Sequence, residues 1–197
     1  MDFVMVYQFA INVIAANTLF GLALPTLLAD NMQLRKVAFT DNLTQVASRD
    51  RLEQRAQLEI TKARQDDEHF SLMVFDIDNF KQINDEFGHH IGDHALQQLC
   101  LIAQHSLRPE DLLGRFGGDE FVILLPKTCK QAAQQVAERI LEELQNVRVA
   151  DVQRLTASFG VAQLSDDEDY DMLFMRADQA LYRAKYQGRN CVVQATD

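Results

Sequence analysis

The chain has 197 residues, 47% of them hydrophobic and 24% charged, with a formal net charge of −10 at pH 7. That is the scale of one globular domain plus an appendage, and the acidic balance argues against a nucleic-acid groove or a polybasic membrane patch. Cys100, Cys129 and Cys191 stand singly, with no CxxC or Cys/His zinc spacing, so they read as free thiols in a reducing compartment.

In chain order, residues 3–29 carry no charged side chain. The run is long enough to span a bilayer, and Arg35 and Lys36 come after it while only Asp2 precedes. By the positive-inside rule this predicts a transmembrane helix over residues 1–29, with the rest of the chain in the cytoplasm. No basic n-region marks a secretory signal. An apolar helix pairing with its copy in a dimer is the other reading. Residues 30–40 form a polar linker, and residues 41–197 form the folded domain.

Asp41-Asn42-Leu43-Thr44 predicts a helix start with Asp41 as N-cap. Leu52, Ala56, Ile60 and Ala63 continue a helical stripe to about Arg64. Phe70 to Asp78 is a near-continuous apolar run ending in acids, the pattern of a central strand buried on both faces. Asp76 and Asp78 then lie at its carboxyl end, where open α/β sheets place ligands. Residues 79–93 hold Lys81, Asn84, Asp93 and two glycines. A capped loop is one reading. In the other, Lys81 binds a phosphate, while Asn84 and Asp93 read a base edge. His90 and His94 are four apart but lack the glutamate of an HExxH zinc site.

Residues 95–107 predict an amphipathic helix. Leu112 to Leu125 is two apolar runs around Gly117-Gly118-Asp119-Glu120, a hairpin whose glycines permit positive φ. Its tip is either a solvated acidic turn or, beside the end of the central strand, part of an acid cluster. Such a cluster suits Mg²⁺, a hard ion that takes oxygen ligands and usually substrate phosphates. Two such ions can clamp the attacking and leaving oxygens of a nucleotidyl transfer. A helix over 129–147, a strand over 153–164, a helix over 171–187 and a short strand over 190–194 complete the chain. Lys185 and Arg189 bracket the end of the last helix, where they satisfy its dipole or grip a phosphate.

Four ordered matches identify a family resemblance. They are Asp41-x-Leu43-Thr44; the stretch Phe75-Asp76-Ile77-Asp78-x-Phe80-Lys81-x-Ile83-Asn84-Asp85, continuing to Gly88-His89 and Gly92-Asp93; Arg115-Phe116-Gly117-Gly118-Asp119-Glu120-Phe121; and Ala177-Asp178 through Lys185 to Gly188-Arg189-Asn190. From about Asp41 to Gln194 the chain resembles the GGDEF-type diguanylate cyclases. Gln45, Val46 and Ser48 depart from the family pattern, which usually has Gly, Leu and Asn there.

The resemblance implies a palm-like α/β (α+β) fold with a central, mostly antiparallel five-stranded sheet flanked by helices. It implies condensation of two GTP into cyclic di-GMP with release of two pyrophosphates, by a homodimer with Mg²⁺ (or Mn²⁺) as cofactor and no nucleic acid as partner. Asp76 and Asp119 by carboxylate, and Ile77 by its carbonyl, would bind metal. Asp119 would be the general base, with Glu120 in support. Asn84 and Asp93 would read guanine, with His89 beside the nucleotide. Lys81, Lys185 and Arg189 would hold phosphates, and the Gly117-Gly118 backbone would approach the triphosphate. Arg108-x-x-Asp111, separated from Gly117 by five residues, would be an inhibitory site for the product. With the apolar segment, the expected location is the bacterial inner membrane, the catalytic domain in the cytoplasm. The rival reading is a catalytically silent GGDEF domain that binds GTP or cyclic di-GMP as a signalling module.

Overall fold

The computed structural model describes residues 39–149, 152 and 154–196. Strand β1 (Phe70–Ile77) is buried along its whole length, as its unbroken apolar run requires. Side chains alternate across a strand, so β1 feeds two cores. Met73, Phe75 and Ile77 face α3 (His89–His105) and α4 (Lys130–Leu144). Phe70, Leu72 and Val74 face α1 (Arg49–Asp66) and α5 (Tyr170–Tyr186).

The sheet is mixed and five-stranded, in the order β2-β3-β1-β4-β5. Strands β2 (Leu112–Gly117) and β3 (Glu120–Pro126) form the hairpin, and β3 runs antiparallel to β1 from Phe70↔Pro126 to Asp76↔Glu120. Strand β4 (Ala157–Gln163) flanks β1 on the other side, also antiparallel, while β5 (Val192–Gln194) joins β4 in parallel. This register lines up Phe121, Phe75 and Phe159 across three strands, with ring centroids 5.5 and 4.6 Å apart. Such aromatic cross-strand pairs lock register as well as burying area.

Gly160 on β4 sets how closely α5 can approach. A Cβ there would lie 2.0 Å from the Ala177 carbonyl oxygen and 2.3 Å from the Leu181 nitrogen. Only a bare backbone lets α5 press onto the sheet, and that depth brings Lys185, in its last turn, down to Asp76.

Three expectations change. Asp41 does not cap a helix. Its Oδ1 accepts from the Thr44 amide (2.9 Å) and hydroxyl (2.6 Å), closing a side-chain turn. Helix α1 starts later, at Arg49 after Ser48. Residues 79–93 are not a loop but helix α2 (Phe80–Phe87) and the first turn of α3. Gly88, at φ 85°, breaks the two apart, whereas Gly92 lies within α3, where the Asn84 side chain fills the space a Cβ would need.

The membrane placement is also corrected. The expected spanning segment lies outside the described residues, and so does the expected N-terminal apolar helix. Among the described residues no helix is long and apolar enough to cross a membrane. Helix α1, for example, pairs a buried stripe of Leu52, Ala56, Ile60 and Ala63 with Arg49, Glu53, Arg55 and Lys62 in surface ion pairs. The inner-membrane location, and the membrane as partner, are therefore withdrawn.

Candidate active site

The candidate site lies at the carboxyl end of β1. Asp76, on the face covered by α5, is 4% exposed. Its Oδ2 pairs with the Lys185 ammonium, while its Oδ1 is buried with no hydrogen-bond partner. Burial pushes the Asp76 carboxyl up to about 6 from an ordinary 3.8; Lys185 opposes that rise, and the nearby Asp119 and Asp78 charges add to it. Glu120 lies opposite Asp76 in the β1–β3 register and is exposed. Ile77 is buried and pairs with Ala157.

The hairpin tip supplies Asp119, half-buried, between Gly118 at φ 55° and Glu120. Here glycine is needed for a backbone that other residues adopt only under strain. A Cβ on Gly117 or Gly118 would meet nothing within 4 Å, so the tip backbone faces open space. Arg115 holds the tip from behind. Its Nε and Nη2 donate to the Gly118 carbonyl at 2.8 and 2.6 Å, and its Nη1 donates to Asp41 at 3.2 Å. Burial raises the Asp41 carboxyl, but the Thr44 hydroxyl and amide and the Arg115 guanidinium outweigh it and hold it below the usual range. The entry turn thus keeps its contact with the hairpin despite its unusual sequence, and the Ala47 amide and carbonyl pair with Leu113 and Arg115 across the sheet edge.

Helices α2 and α3, which follow directly from this end of β1, carry the other sequence-predicted residues. Asn84 has a buried Oδ1 without a partner. A Cβ at Gly92 would sit 1.9 Å from that oxygen, so the glycine makes room for the asparagine. Asp93 comes directly after Gly92 and is half-buried, and His89 and Lys81 are exposed. Lys81 lines an open cavity of about 520 Å³ with Asn79, Gln82, Asp85 and Glu86.

After α5 the chain turns through Gly188, Arg189 and Asn190, all at positive φ (113°, 66° and 49°). Arg189 is exposed. Asp78, 6% exposed, ties this turn to the sheet: its Oδ1 accepts from the Ser158 hydroxyl (2.6 Å) and its Oδ2 from the Asn190 amide (3.0 Å). Arg108 and Asp111 are not part of this constellation. They precede β2, at the end opposite the hairpin tip, about 17 Å away along the strand. There the Asp111 Oδ2 accepts from the Arg108 amide at 2.8 Å, and the Arg108 guanidinium is left exposed. Burial raises the Asp111 carboxyl, and its Oδ1 is buried without a partner.

Among the described residues no group of three or more His, Cys, Asp and Glu side chains forms a metal cage by itself. The donors at β1 nonetheless fit a divalent cation of the Mg²⁺ kind. Such an ion is held by one or two carboxylates and completes its shell with water and substrate phosphates. Asp76 offers an unsatisfied oxygen, and Asp119 adds a second negative charge beside it.

The sequence family described as "Diguanylate cyclase, GGDEF domain" matches residues 38–191. This chain belongs to that family. Among curated GGDEF proteins, it is 39% identical to the diguanylate cyclase DgcP of Pseudomonas aeruginosa over 159 residues, covering 79% of this chain and 24% of DgcP. It is 44% identical to the diguanylate cyclase DgcM of Escherichia coli over 126 residues, covering 64% of this chain and 31% of DgcM. The chain thus spans less than a third of the length of these two GGDEF relatives. Among solved structures, the coiled coil and GGDEF domain of DgcB from Caulobacter crescentus, in complex with c-di-GMP, matches with a TM-score of 0.83 at 28% identity, over 92% of this chain and 99% of that one. The active GGEEF domain of a diguanylate cyclase from Vibrio cholerae matches with a TM-score of 0.75 at 33% identity, over 78% and 99% of the two chains.

Two features of this GGDEF domain escape a reading of its sequence. The Asp41–Arg115 pair spans 74 positions, and the Asp78 bridge to Ser158 and Asn190 spans 80 and 112. Neither has a local spacing that could announce it.

Proposed function

We propose that this chain is a diguanylate cyclase that joins two GTP molecules into cyclic di-GMP and releases two pyrophosphates. One observation carries the reading. A buried carboxylate with an unsatisfied oxygen, Asp76, sits beside the acid of a Gly-Gly-Asp-Glu hairpin in a chain of the GGDEF family.

Asp76 and Asp119 by carboxylate, with Ile77 by its carbonyl, hold Mg²⁺ or Mn²⁺, which when bound neutralises phosphate charge and sharpens the electrophile. Asn84 and Asp93 present an acceptor and a carboxylate to the guanine edge, and His89 flanks the nucleotide. Lys81, Lys185 and Arg189 hold the triphosphate, and the Gly117-Gly118 backbone approaches it without side chains in the way. The 3′-hydroxyl of one GTP attacks the α-phosphorus of the other. The new P–O bond forms as the bond to pyrophosphate breaks, and Asp119 takes the hydroxyl proton with Glu120 supporting the geometry. Each domain presents one nucleotide, so two copies face each other as a homodimer and the step occurs twice. Arg108 and Asp111 form a separate site for the product. An exposed guanidinium beside an orphaned carboxylate oxygen supports that reading, because it offers a charged fork for phosphate and an acceptor for a base.

The test is product analysis after incubation with GTP and Mg²⁺, with and without a phosphodiesterase that removes cyclic di-GMP. Cyclic di-GMP formed by the wild type and lost in Asp76→Ala and Asp119→Ala is the expected result. No product from a dimeric, GTP-bound protein would overturn the proposal in favour of a silent binding module.

A further inference from the structure

Lys185 and Arg189 are both offered to the triphosphate, yet only Lys185 stands on a helix. Arg189 stands in a turn whose conformation its own sequence disfavours. Gly188 tolerates its φ of 113°, but Arg189 at 66° and Asn190 at 49° are left-handed residues with side chains. Such residues persist only where their surroundings hold them. The Arg189 amide is held by the helix, donating to the Ala184 carbonyl at 3.1 Å. The Asn190 amide has a partner far away in sequence, the Oδ2 of Asp78 at 3.0 Å. The other oxygen of Asp78 is fixed to β4 by the Ser158 hydroxyl at 2.6 Å. Asp78 is 6% exposed, and each of its oxygens has a protein hydrogen-bond partner. An amide bonded to a carboxylate makes a stronger hydrogen bond than one bonded to a neutral acceptor.

We infer that Asp78 is a positioning residue for nucleotide binding: its carboxylate clamps the Asn190 amide to β4 through Ser158, and so holds the left-handed turn that aims Arg189 at the phosphates. This extends the functional reading above by giving the second acid of Asp76-Ile77-Asp78 a task distinct from metal binding. The clamp needs two correctly placed polar atoms, which the negative charge strengthens but does not create. Asparagine supplies them, its oxygen accepting from the Asn190 amide and its NH₂ donating to the Ser158 hydroxyl. A role in attracting the metal would need the charge.

The experiment uses the full chain and compares Asp78→Asn, Asp78→Ala, Arg189→Ala and the double variant Asp78→Ala/Arg189→Ala. Affinity for a non-reacting GTP analogue with Mg²⁺ is measured by calorimetry, and exchange of the Asn190 amide by NMR. Asp78→Asn is expected to bind within about threefold of wild type with a protected amide. Asp78→Ala is expected to lose roughly tenfold in affinity with a fast-exchanging amide, and the double variant to bind no more weakly than Arg189→Ala alone. Should Asp78→Ala fail to fold, Asp78→Ser takes its place, since its hydroxyl is too short to bridge both partners. Asp78→Asn as impaired as Asp78→Ala would overturn the clamp in favour of a charge role. Additive losses in the double variant would overturn the route through Arg189. Unchanged affinity in Arg189→Ala itself, with the amide protected in wild type, would overturn the phosphate reading of Arg189 rather than the clamp, so the two failures are distinguishable.

Discussion

Lys185 and Asp76 form an ion pair at the bottom of the candidate site, between the last turn of α5 and the end of β1. The lysine is the cation of a buried acid that otherwise has only other acids for company. Its proposed job on the triphosphate therefore begins with leaving that carboxylate when metal and nucleotide arrive.

The pair predicts a pH-dependent stability in metal-free protein. Folding raises the Asp76 carboxyl from 3.8 to about 6, so the folded state is favoured most below the ordinary value and loses that advantage as pH climbs through 6. The displacement is worth about 3 kcal/mol. Asp76→Asn, which never ionises, should unfold at higher urea than wild type at pH 8, by up to that amount, and match it at pH 4. Lys185→Met strands the charge and should cost less at pH 8 than the roughly 3–5 kcal/mol of a fully buried pair, because Lys185 is 36% exposed, and little at pH 4. Urea titrations at both pH values check this; equal effects at the two would contradict it.

Gly92→Ala places a methyl where the Asn84 side chain lies, 1.9 Å from its Oδ1. Overpacking of this kind costs about 1–3 kcal/mol. The larger expectation is functional. Asn84 must swing away, and affinity for GTP should fall about tenfold, with preference over ATP reduced, since a site built to hydrogen-bond a group discriminates strongly. Calorimetry with both nucleotides decides it, and an unchanged GTP preference would remove Asn84 from base reading.

Gln45 takes a left-handed conformation, φ 59°, in the exposed turn between Asp41 and Ala47. A side chain there costs roughly 1–2 kcal/mol, against about 0.4–1 kcal/mol for the extra unfolded-state freedom of glycine. Gln45→Gly should therefore stabilise the domain by about 0.5 kcal/mol with catalysis unaltered. A lower unfolding midpoint would show that the Gln45 bond to the Asn42 carbonyl, 2.8 Å long, matters more than the backbone.

Arg108→Ala removes an exposed guanidinium at the far end of β2 and leaves the turn intact, because Asp111 accepts from the backbone amide of residue 108. The initial rate of GTP condensation should stay within about twofold of wild type, while inhibition by added cyclic di-GMP weakens by tenfold or more. Progress curves with and without added product measure both, and an unaltered inhibition curve would eliminate this site.

Much of this protein is determined by its sequence alone. The unbroken apolar run of Phe70–Ile77 has the pattern of a strand covered on both faces, with its acids at the strand's end. Gly117-Gly118 between two apolar runs can only be a hairpin tip. The ordered motifs from Asp41 to Asn190 carry the family. These features are local, written in periodicity, turn chemistry and spacing. The sequence misled where local signals had more than one solution. Asp41 looks like a helix cap because capping and side-chain turns use the same carboxylate-to-amide bond. Residues 79–93 could be read as a loop because glycine breaks helices, whereas Gly92 is required within one by a side chain from another. The tertiary structure alone decided which distant groups share the site. It set Lys185 on Asp76 through the depth of α5 over Gly160, Arg115 between Gly118 and Asp41, and Asp78 between Ser158 and Asn190. Pairings across 74 to 112 positions depend on strand order and on how closely backbones approach, and these are properties of the packed sheet rather than of any stretch of chain.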